Sequence, residues 1–125
     1  MKRFATAVLV GLVFLIPATS ALAGQGDVIR QGSCSGRSDW KLKLSPEDGR
    51  IEVEFEVDQN VVGDRWRVTI RHDGAVAFRT TRITRGTSGS FEVRTVEPNH
   101  AGSDAFRARA RNLSTGEVCV GGASF

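Results

Sequence analysis

The stretch IEVEFEV, residues 51 to 57, decides the fold class, because apolar and acidic residues alternate along it without interruption. Its apolar members are Ile51, Val53, Phe55 and Val57, and its acidic members are Glu52, Glu54 and Glu56. Side chains point alternately to the two faces of a β-strand. The stretch therefore predicts a strand with one face buried in a core and one acidic face in solvent.

The same period of two recurs on both sides of this stretch. It is found in WKLKL (40–44), RWRVTIR (65–71), Val76 and Phe78, Phe91 and Val93, Phe106 to Ala110, and Val118 and Val120. Clusters of Gly, Asp, Asn and Ser separate these segments, and no helical apolar period follows residue 23. The pattern predicts an all-β fold, namely an antiparallel immunoglobulin-like or fibronectin type III-like β-sandwich of seven or eight strands. A small barrel is the alternative.

The apolar positions of these strands predict one shared core. Its expected members are Trp40, Leu42, Phe55, Val68, Ile70, Phe78, Phe91, Phe106 and Ala108. Trp40 and Trp66 both fall on the apolar side of their strands, which favours packing in the core over stacking on a sugar ring.

Two hairpins can be given a register, because pairing must place apolar residues beside apolar residues. A three-residue loop at His72 to Gly74, with Gly74 left-handed, sets Ile70 beside Val76. A three-residue loop at Ser114 to Gly116 pairs Ala110 with Val120 and places Arg111 opposite Cys119. The second register puts Cys119 on the outer face of its sheet.

The first 23 residues have the pattern of a secretory signal peptide. A basic start, Lys2 and Arg3, precedes an apolar run from Phe4 to Ile16 and the small-residue motif Ala21-Leu22-Ala23. We expect cleavage after Ala23, a single domain over residues 24–125, and a secreted, extracellular monomer, periplasmic in a Gram-negative source. The apolar run is shorter than the ~20 residues of a membrane span, so no membrane insertion is expected after cleavage.

Charge excludes one class of partner. Of the 17 Lys and Arg, two lie in the predicted signal, which leaves 15 against 14 Asp and Glu. A nucleic-acid-binding domain needs a surplus of cationic side chains, and the mature chain as a whole has almost none. No nucleic-acid partner is therefore expected.

Cys34 and Cys119 are the only cysteines, one near each end of the mature chain. In an oxidising compartment an even number of cysteines indicates a disulfide, and a domain of this size benefits from one. We predict an intramolecular Cys34–Cys119 bond that ties the N-terminal segment to the last strand.

The stretch FRARARN, residues 106 to 112, carries an arginine at every second position. Arg107, Arg109 and Arg111 must share one face of a strand and point away from the core. Two interpretations are open, an anion- or partner-binding row and a solvated face neutralised by the glutamates at 52, 54 and 56. We expect the second interpretation, a solvated and neutralised face. It assumes that Asp58 faces Arg65 in a hairpin and that the glutamate strand lies beside the arginine strand.

Other surface features give weaker indications of function. Val61 and Val62, in the loop QNVVGD, form a candidate apolar contact tip, although one of them can instead cap the core. His72 and His100 lack metal-type spacing, and a polar loop is the ordinary interpretation of EPNHAGSD (97–104) despite its oxygen-bearing side chains. We therefore predict no catalytic residue, no metal and no cofactor.

Four segments, CSGRSDWKLKL, GRIEVEFEVD, GDRWRVTIRHDG and NLSTGEVCVG, carry a resemblance that covers the mature chain. The chain resembles small secreted all-β proteins of high-GC Gram-positive bacteria, to which no activity is assigned. The resemblance implies a signal peptide, paired cysteines and an all-β fold, and it supplies no catalytic residue. The chain departs from true immunoglobulin domains, because Trp40 follows the first cysteine by only six residues.

These observations favour a secreted, non-enzymatic binding module whose partner is another extracellular protein or an envelope polymer. The alternative is a small secreted enzyme or enzyme inhibitor that uses the loop from Glu97 to Asp104. A concave pocket that joins His100 to another titratable side chain would favour the alternative, and a flat polar face would favour binding.

Overall fold

The structure is a computed structural model that describes residues 26–125. The predicted signal peptide, residues 1–23, lies outside the described residues. Within them no helix is long and apolar enough to cross a membrane.

Eight β-strands account for most of the described chain, as the alternating pattern predicts. They are β1 (Val28–Ser33), β2 (Asp39–Glu47), β3 (Arg50–Asp58), β4 (Arg65–His72), β5 (Ala75–Ile83), β6 (Ser90–Pro98), β7 (Ala105–Asn112) and β8 (Val118–Ser124). The prediction of an all-β fold with seven or eight strands is confirmed for residues 26–125.

The strands form two antiparallel sheets that share one core. The first sheet has the order β1-β2-β3-β6, and the second has the order β5-β4-β7-β8. Burial alternates strictly along β3, β4 and β7, and their buried apolar residues join one cluster between the sheets. The arrangement is sandwich-like and is not the closed barrel given as the alternative.

The predicted core is largely confirmed. Leu42, Phe55, Val68, Ile70, Phe91, Phe106 and Ala108 are buried together in this cluster. Trp66, also predicted to pack in the core, is fully buried. Trp40 and Phe78 are only partly buried against it, because both lie near the margins of the sheets.

Trp40 occupies a slot between two glycines. A Cβ atom added to Gly32 would lie 2.7 Å from the indole, and one added to Gly121 would lie 2.6 Å from it. Real Cβ atoms do not approach other atoms so closely, so glycine at both positions lets β1 and β8 close over the ring.

The predicted disulfide joins Cys34, in the loop after β1, to Cys119 of β8. It spans 85 residues and ties the N-terminal segment to the last strand, as expected. Its position is different from the expected one. Cys119 is fully buried in the core and does not lie on the arginine side of the sheet.

The reason lies in the β7–β8 loop, which is one residue longer than predicted. The Asn112 N–H donates to the Glu117 carbonyl at 2.8 Å, and the Asn112 side chain accepts from the backbone of Ser114 and Thr115. Ala110 therefore pairs with Cys119, not with Val120. The shift by one residue turns Cys119 inward and leaves Val120 exposed.

The predicted β4–β5 register is also wrong. His72 pairs with Ala75 across a two-residue Asp73-Gly74 turn, in which both residues have positive φ. Such a turn places Arg71 opposite Val76, which mixes the faces, but a β-bulge next to Ile70 corrects the parity and pairs Ile70 with Phe78. The prediction failed because it did not allow for a bulge.

The expected β3–β4 hairpin is absent from the described chain. Asp58 pairs with Asp39 and Ser90, because β2 and β6 occupy both edges of β3. The chain crosses to the other sheet at residues 59–64, where the Gln59 side chain bridges the Asp64 carboxylate and the Trp66 indole. The assumption that Asp58 faces Arg65 in a hairpin is therefore wrong.

Candidate functional site

The strands of the second sheet give its outer face charge of one sign only. The four strands of this sheet contain no Asp or Glu. Seven exposed arginines lie on the outer face of this sheet. Arg65 begins β4 and pairs with Ile83, and we call the other six the arginine face. They are Arg67 and Arg71 of β4, Arg79 of β5, and Arg107, Arg109 and Arg111 of β7.

The strand register brings these side chains together. Arg107 pairs directly with Arg71, and Arg111 pairs with Arg67. Arg109 pairs with Thr69, which in turn pairs with Arg79 on the opposite side of β4. A groove of about 150 Å³ runs between these residues and is lined by Thr69, Arg71, Arg79, Arg107 and Arg109.

No carboxylate neutralises the arginine face within residues 26–125. None of its six guanidinium groups lies within 4.0 Å of an Asp or Glu oxygen. The one side-chain hydrogen bond from this set in the described chain runs from Arg71 to the Gly74 carbonyl, at 3.3 Å. Like charges placed directly opposite one another on a sheet are destabilising. An anion bound between them would relieve this repulsion.

The glutamates expected to neutralise Arg107, Arg109 and Arg111 lie on the other sheet. Glu54 pairs with Lys43 and Arg94, and Glu56 pairs with Lys41. The expectation of a neutralised arginine row is wrong, because β7 has β4 and β8 as neighbours, and β3 belongs to the first sheet.

The outer face of the first sheet is acidic and partly paired. Arg94 contacts Glu47 at 2.8 Å and Glu52 at 2.7 Å, and it leaves Glu54 without a guanidinium. A hydrogen bond between the Glu52 and Glu54 carboxyl groups lowers the pKa of Glu52 to about 2 and raises the pKa of Glu54 to about 7. Burial and the charges of Glu52 and Glu92 add to the rise at Glu54.

A second cluster of functional side chains lies where the β4–β5 turn meets the β6–β7 loop. His72 ends β4 and Asp73 begins the turn, and His100 and Asp104 come from the loop. His72 Nε2 lies 2.6 Å from Asp104 Oδ1, and His100 Nδ1 lies 2.8 Å from Asp73 Oδ2. We call these four residues the His–Asp cluster.

Phe106 and the Ala105 backbone hold the cluster in place. The His72 ring stacks on Phe106 at 4.3 Å and on His100 at 4.2 Å. The Ala105 N–H donates to Asp73 Oδ1 at 2.8 Å, and this bond is the main cause that lowers the pKa of Asp73. The hydrogen bond with Asp73 raises the pKa of His100. Imidazoles and carboxylates are also the side chains that ligate transition metals.

Sequence reasoning missed this cluster. The pairs His72–His100 and His72–Asp104 are separated by about 30 positions, so no local spacing marks them. The loop EPNHAGSD is rich in oxygen ligands, but its contact with the Asp73-Gly74 turn depends on the pairing of β4 with β7.

The candidate contact tip lies at the end of the molecule that holds the β3–β4 loop. Val61 and Val62 are 50% and 64% exposed, so neither caps the core. Val61 lines a cavity of about 460 Å³ together with residues 35–38 and 115–117. The Glu117 carboxylate closes one wall of this cavity by accepting from the backbone N–H groups of Gly36 and Ser38.

Comparisons with protein-family models, curated proteins and solved structures find no match to this chain.

Proposed function

We propose that this protein is a secreted, non-enzymatic binding module whose arginine face binds an anionic polymer of the cell envelope. The observation that carries the proposal is a sheet face with seven exposed arginines, six of them in the arginine face, and no Asp or Glu in its strands. Guanidinium groups pair in a bidentate manner with carboxylate, sulfate and phosphate groups.

The spacing of the arginines suits an extended chain of charges. Side chains two positions apart on a strand are about 6.6 to 6.8 Å apart, and neighbouring strands are about 4.8 Å apart. Arg107, Arg109 and Arg111 thus form a row, flanked by Arg67 and Arg71 on the next strand. A flexible polymer with an anionic group on each repeat can contact several of these positions at once.

A polymer is favoured over a nucleic-acid duplex. The disulfide supports export, which keeps the protein apart from intracellular nucleic acid. The mature chain is almost neutral as a whole, because the first sheet carries the compensating acids. The face can still bind one side of an anionic chain, since its local field differs from the field of the whole molecule.

The strand order supports the assignment of the domain to the fibronectin type III-like sandwiches. With β2 lettered as strand A, the sheets have the orders A-B-E and C′-C-F-G, and β1 is an additional strand beside A. The disulfide departs from the inter-sheet bridge of antibody domains, because it joins the segment before strand A to strand G. A disulfide also supports export to an oxidising compartment.

The proposal is tested by measuring affinity for heparin and for anionic cell-wall polymers at several salt concentrations. The triple variant R107Q/R109Q/R111Q should lose at least tenfold in affinity near 0.15 M salt. The slope of log K against log salt should fall by about 2, since each lost ionic contact contributes about 0.7 to 0.9.

A second triple variant, R30Q/R50Q/R85Q, is the matched control. It removes the same charge from exposed arginines that lie away from the arginine face. Equal losses in the two variants would show that net charge alone drives binding, which would refute a defined face. Tighter binding to nucleic acid than to polysaccharide would identify a different partner class.

The alternative, an enzyme or inhibitor that uses the loop from Glu97 to Asp104, has one observation in its favour, the contact of His100 with Asp73 and Asp104. The cavities of about 460 and 500 Å³ are lined by other residues.

A further inference from the structure

We infer that His72, Asp73, His100 and Asp104 form a binding site for one divalent transition-metal ion of the zinc class. Each residue offers one donor atom, and the four donor atoms all lie within 4.8 Å of one another. This site is independent of the arginine face, so either proposal can fail without the other.

The distances approach those of a tetrahedral site. Zinc binds histidine nitrogen and carboxylate oxygen at about 2.0 to 2.2 Å, which places tetrahedral ligands about 3.3 to 3.5 Å from one another. The four His-to-Asp distances are 2.6, 2.8, 3.4 and 3.6 Å, and the His–His and Asp–Asp donor pairs lie within 4.8 Å. An ion that replaces the two short hydrogen bonds moves these donors apart by less than about 1 Å.

Charge and donor type select the ion. Two neutral imidazoles and two carboxylates carry a charge that one divalent cation cancels. Imidazole suits zinc, copper and nickel, whereas calcium and magnesium prefer sites made of oxygen ligands alone. Both cysteines of the chain are joined in the disulfide, so no thiolate competes for the ion.

The ligands are supported by a second layer of hydrogen bonds. The carboxylate of Asp73 accepts from the backbone N–H of Ala105, and the carboxylate of Asp104 accepts from the backbone N–H of His100 at 3.1 Å. The backbone of Asp104 pairs in both directions with Phe125, at 2.8 and 3.0 Å. Such partners orient the ligands of known metal sites.

The site is open on one side. His72 and Asp104 are buried, with side chains 5% and 0% exposed, whereas His100 and Asp73 are 49% and 37% exposed. The exposed pair gives an ion a path of entry. Since a bound metal lies near the plane of an imidazole, the His100 ring must tilt out of its parallel stack on His72, and its exposure leaves room for that tilt.

The two-residue turn brings Asp73 close to His100, which also stacks on the adjacent residue His72. Successive residues of a strand point to opposite faces. Asp73 has a φ of 48°, which ends the strand and brings its carboxylate to the same cluster as His72. Asp48, with a φ of 47°, occupies the equivalent position in the Asp48-Gly49 turn between β2 and β3.

This equivalence provides a matched control for the test. The purified protein, treated with a chelator and dialysed, is titrated calorimetrically with Zn²⁺, and separately with Mg²⁺. We expect one Zn²⁺ per chain with a Kd of about 1 µM or lower and no Mg²⁺ uptake. The variants D73N and H100A should weaken Zn²⁺ binding at least tenfold, whereas D48N should bind as the unmodified protein does.

A second readout is the melting temperature. A ligand that binds only the folded state raises stability with its concentration, so saturating Zn²⁺ should raise the Tm of the unmodified protein and of D48N by several degrees. D73N and H100A should show a much smaller rise. Absence of Zn²⁺ uptake by the unmodified protein at 100 µM, or equal affinity in all four proteins, would show that the cluster is an ion-pair network only.

Discussion

Removal of the disulfide should destabilise the protein through its unfolded state. The bond closes a loop of 85 residues, and the chain-entropy relation gives about 4 to 5 kcal/mol for a loop of that length at 25 °C. Cys119 is fully buried, so serine would add the cost of a buried hydroxyl, and the double variant C34A/C119A is the cleaner perturbation. A loss of this size is a large fraction of the ~5 to 15 kcal/mol by which domains are stable.

The assay is reversible urea unfolding, followed by fluorescence of the two tryptophans. The free energy of unfolding of C34A/C119A should fall by about 4 kcal/mol. Its m-value should rise, because an unfolded chain without the cross-link exposes more surface. A loss below about 1 kcal/mol with an unchanged m-value would refute the reasoning. Two alkylatable thiols in the native protein, found by mass spectrometry, would refute the bond itself.

Two further predictions concern the first sheet. Phe55 is fully buried beside Trp40, so F55A should lower the free energy of unfolding by about 3 to 5 kcal/mol. Truncation of the exposed Val62 to alanine should change the free energy of unfolding by less than about 0.5 kcal/mol. Similar losses in the two variants would contradict the face assignment. The pKa of Glu54 is about 7 in the folded protein and 4.5 ordinarily, so the folded state binds more protons between these values and stability falls as pH rises from about 4.5 to 7. E54Q should remove this decline and raise Tm at pH 8 by a few degrees, which corresponds to about 1 kcal/mol after allowance for the partial exposure of Glu54. Melting curves at pH 5 and pH 8 measure the decline, with E56Q as the control. If the stability of E54Q falls with pH as much as that of the unmodified protein and of E56Q, the prediction is contradicted.

Local patterns predicted the strands well. Alternation along β3, β4 and β7 depends on the side-chain period alone, and every residue predicted for the core lies in the core cluster or against it. The disulfide followed from the number of cysteines and the compartment. These inferences needed no knowledge of which strands are neighbours.

Inferences that depended on neighbouring strands failed. The expected neutralisation of Arg109 required β3 to lie beside β7, and the sequence of charges cannot show which sheet a strand joins. The bulge near Ile70 and the longer loop after Asn112 each moved a register by one residue. The His–Asp cluster is built by long-range pairing, and so neither histidine could be assigned a partner from its own surroundings.

The lysine side chains of the described residues lie on one face only, which makes oriented coupling of the protein possible. Within residues 26–125, lysine occurs only at positions 41 and 43, both on the outer face of the first sheet. The opposite face carries its charge entirely as guanidinium, which amine-reactive reagents do not modify. Coupling of the protein through its lysine amines to a sensor surface should therefore orient it with the arginine face toward the solution.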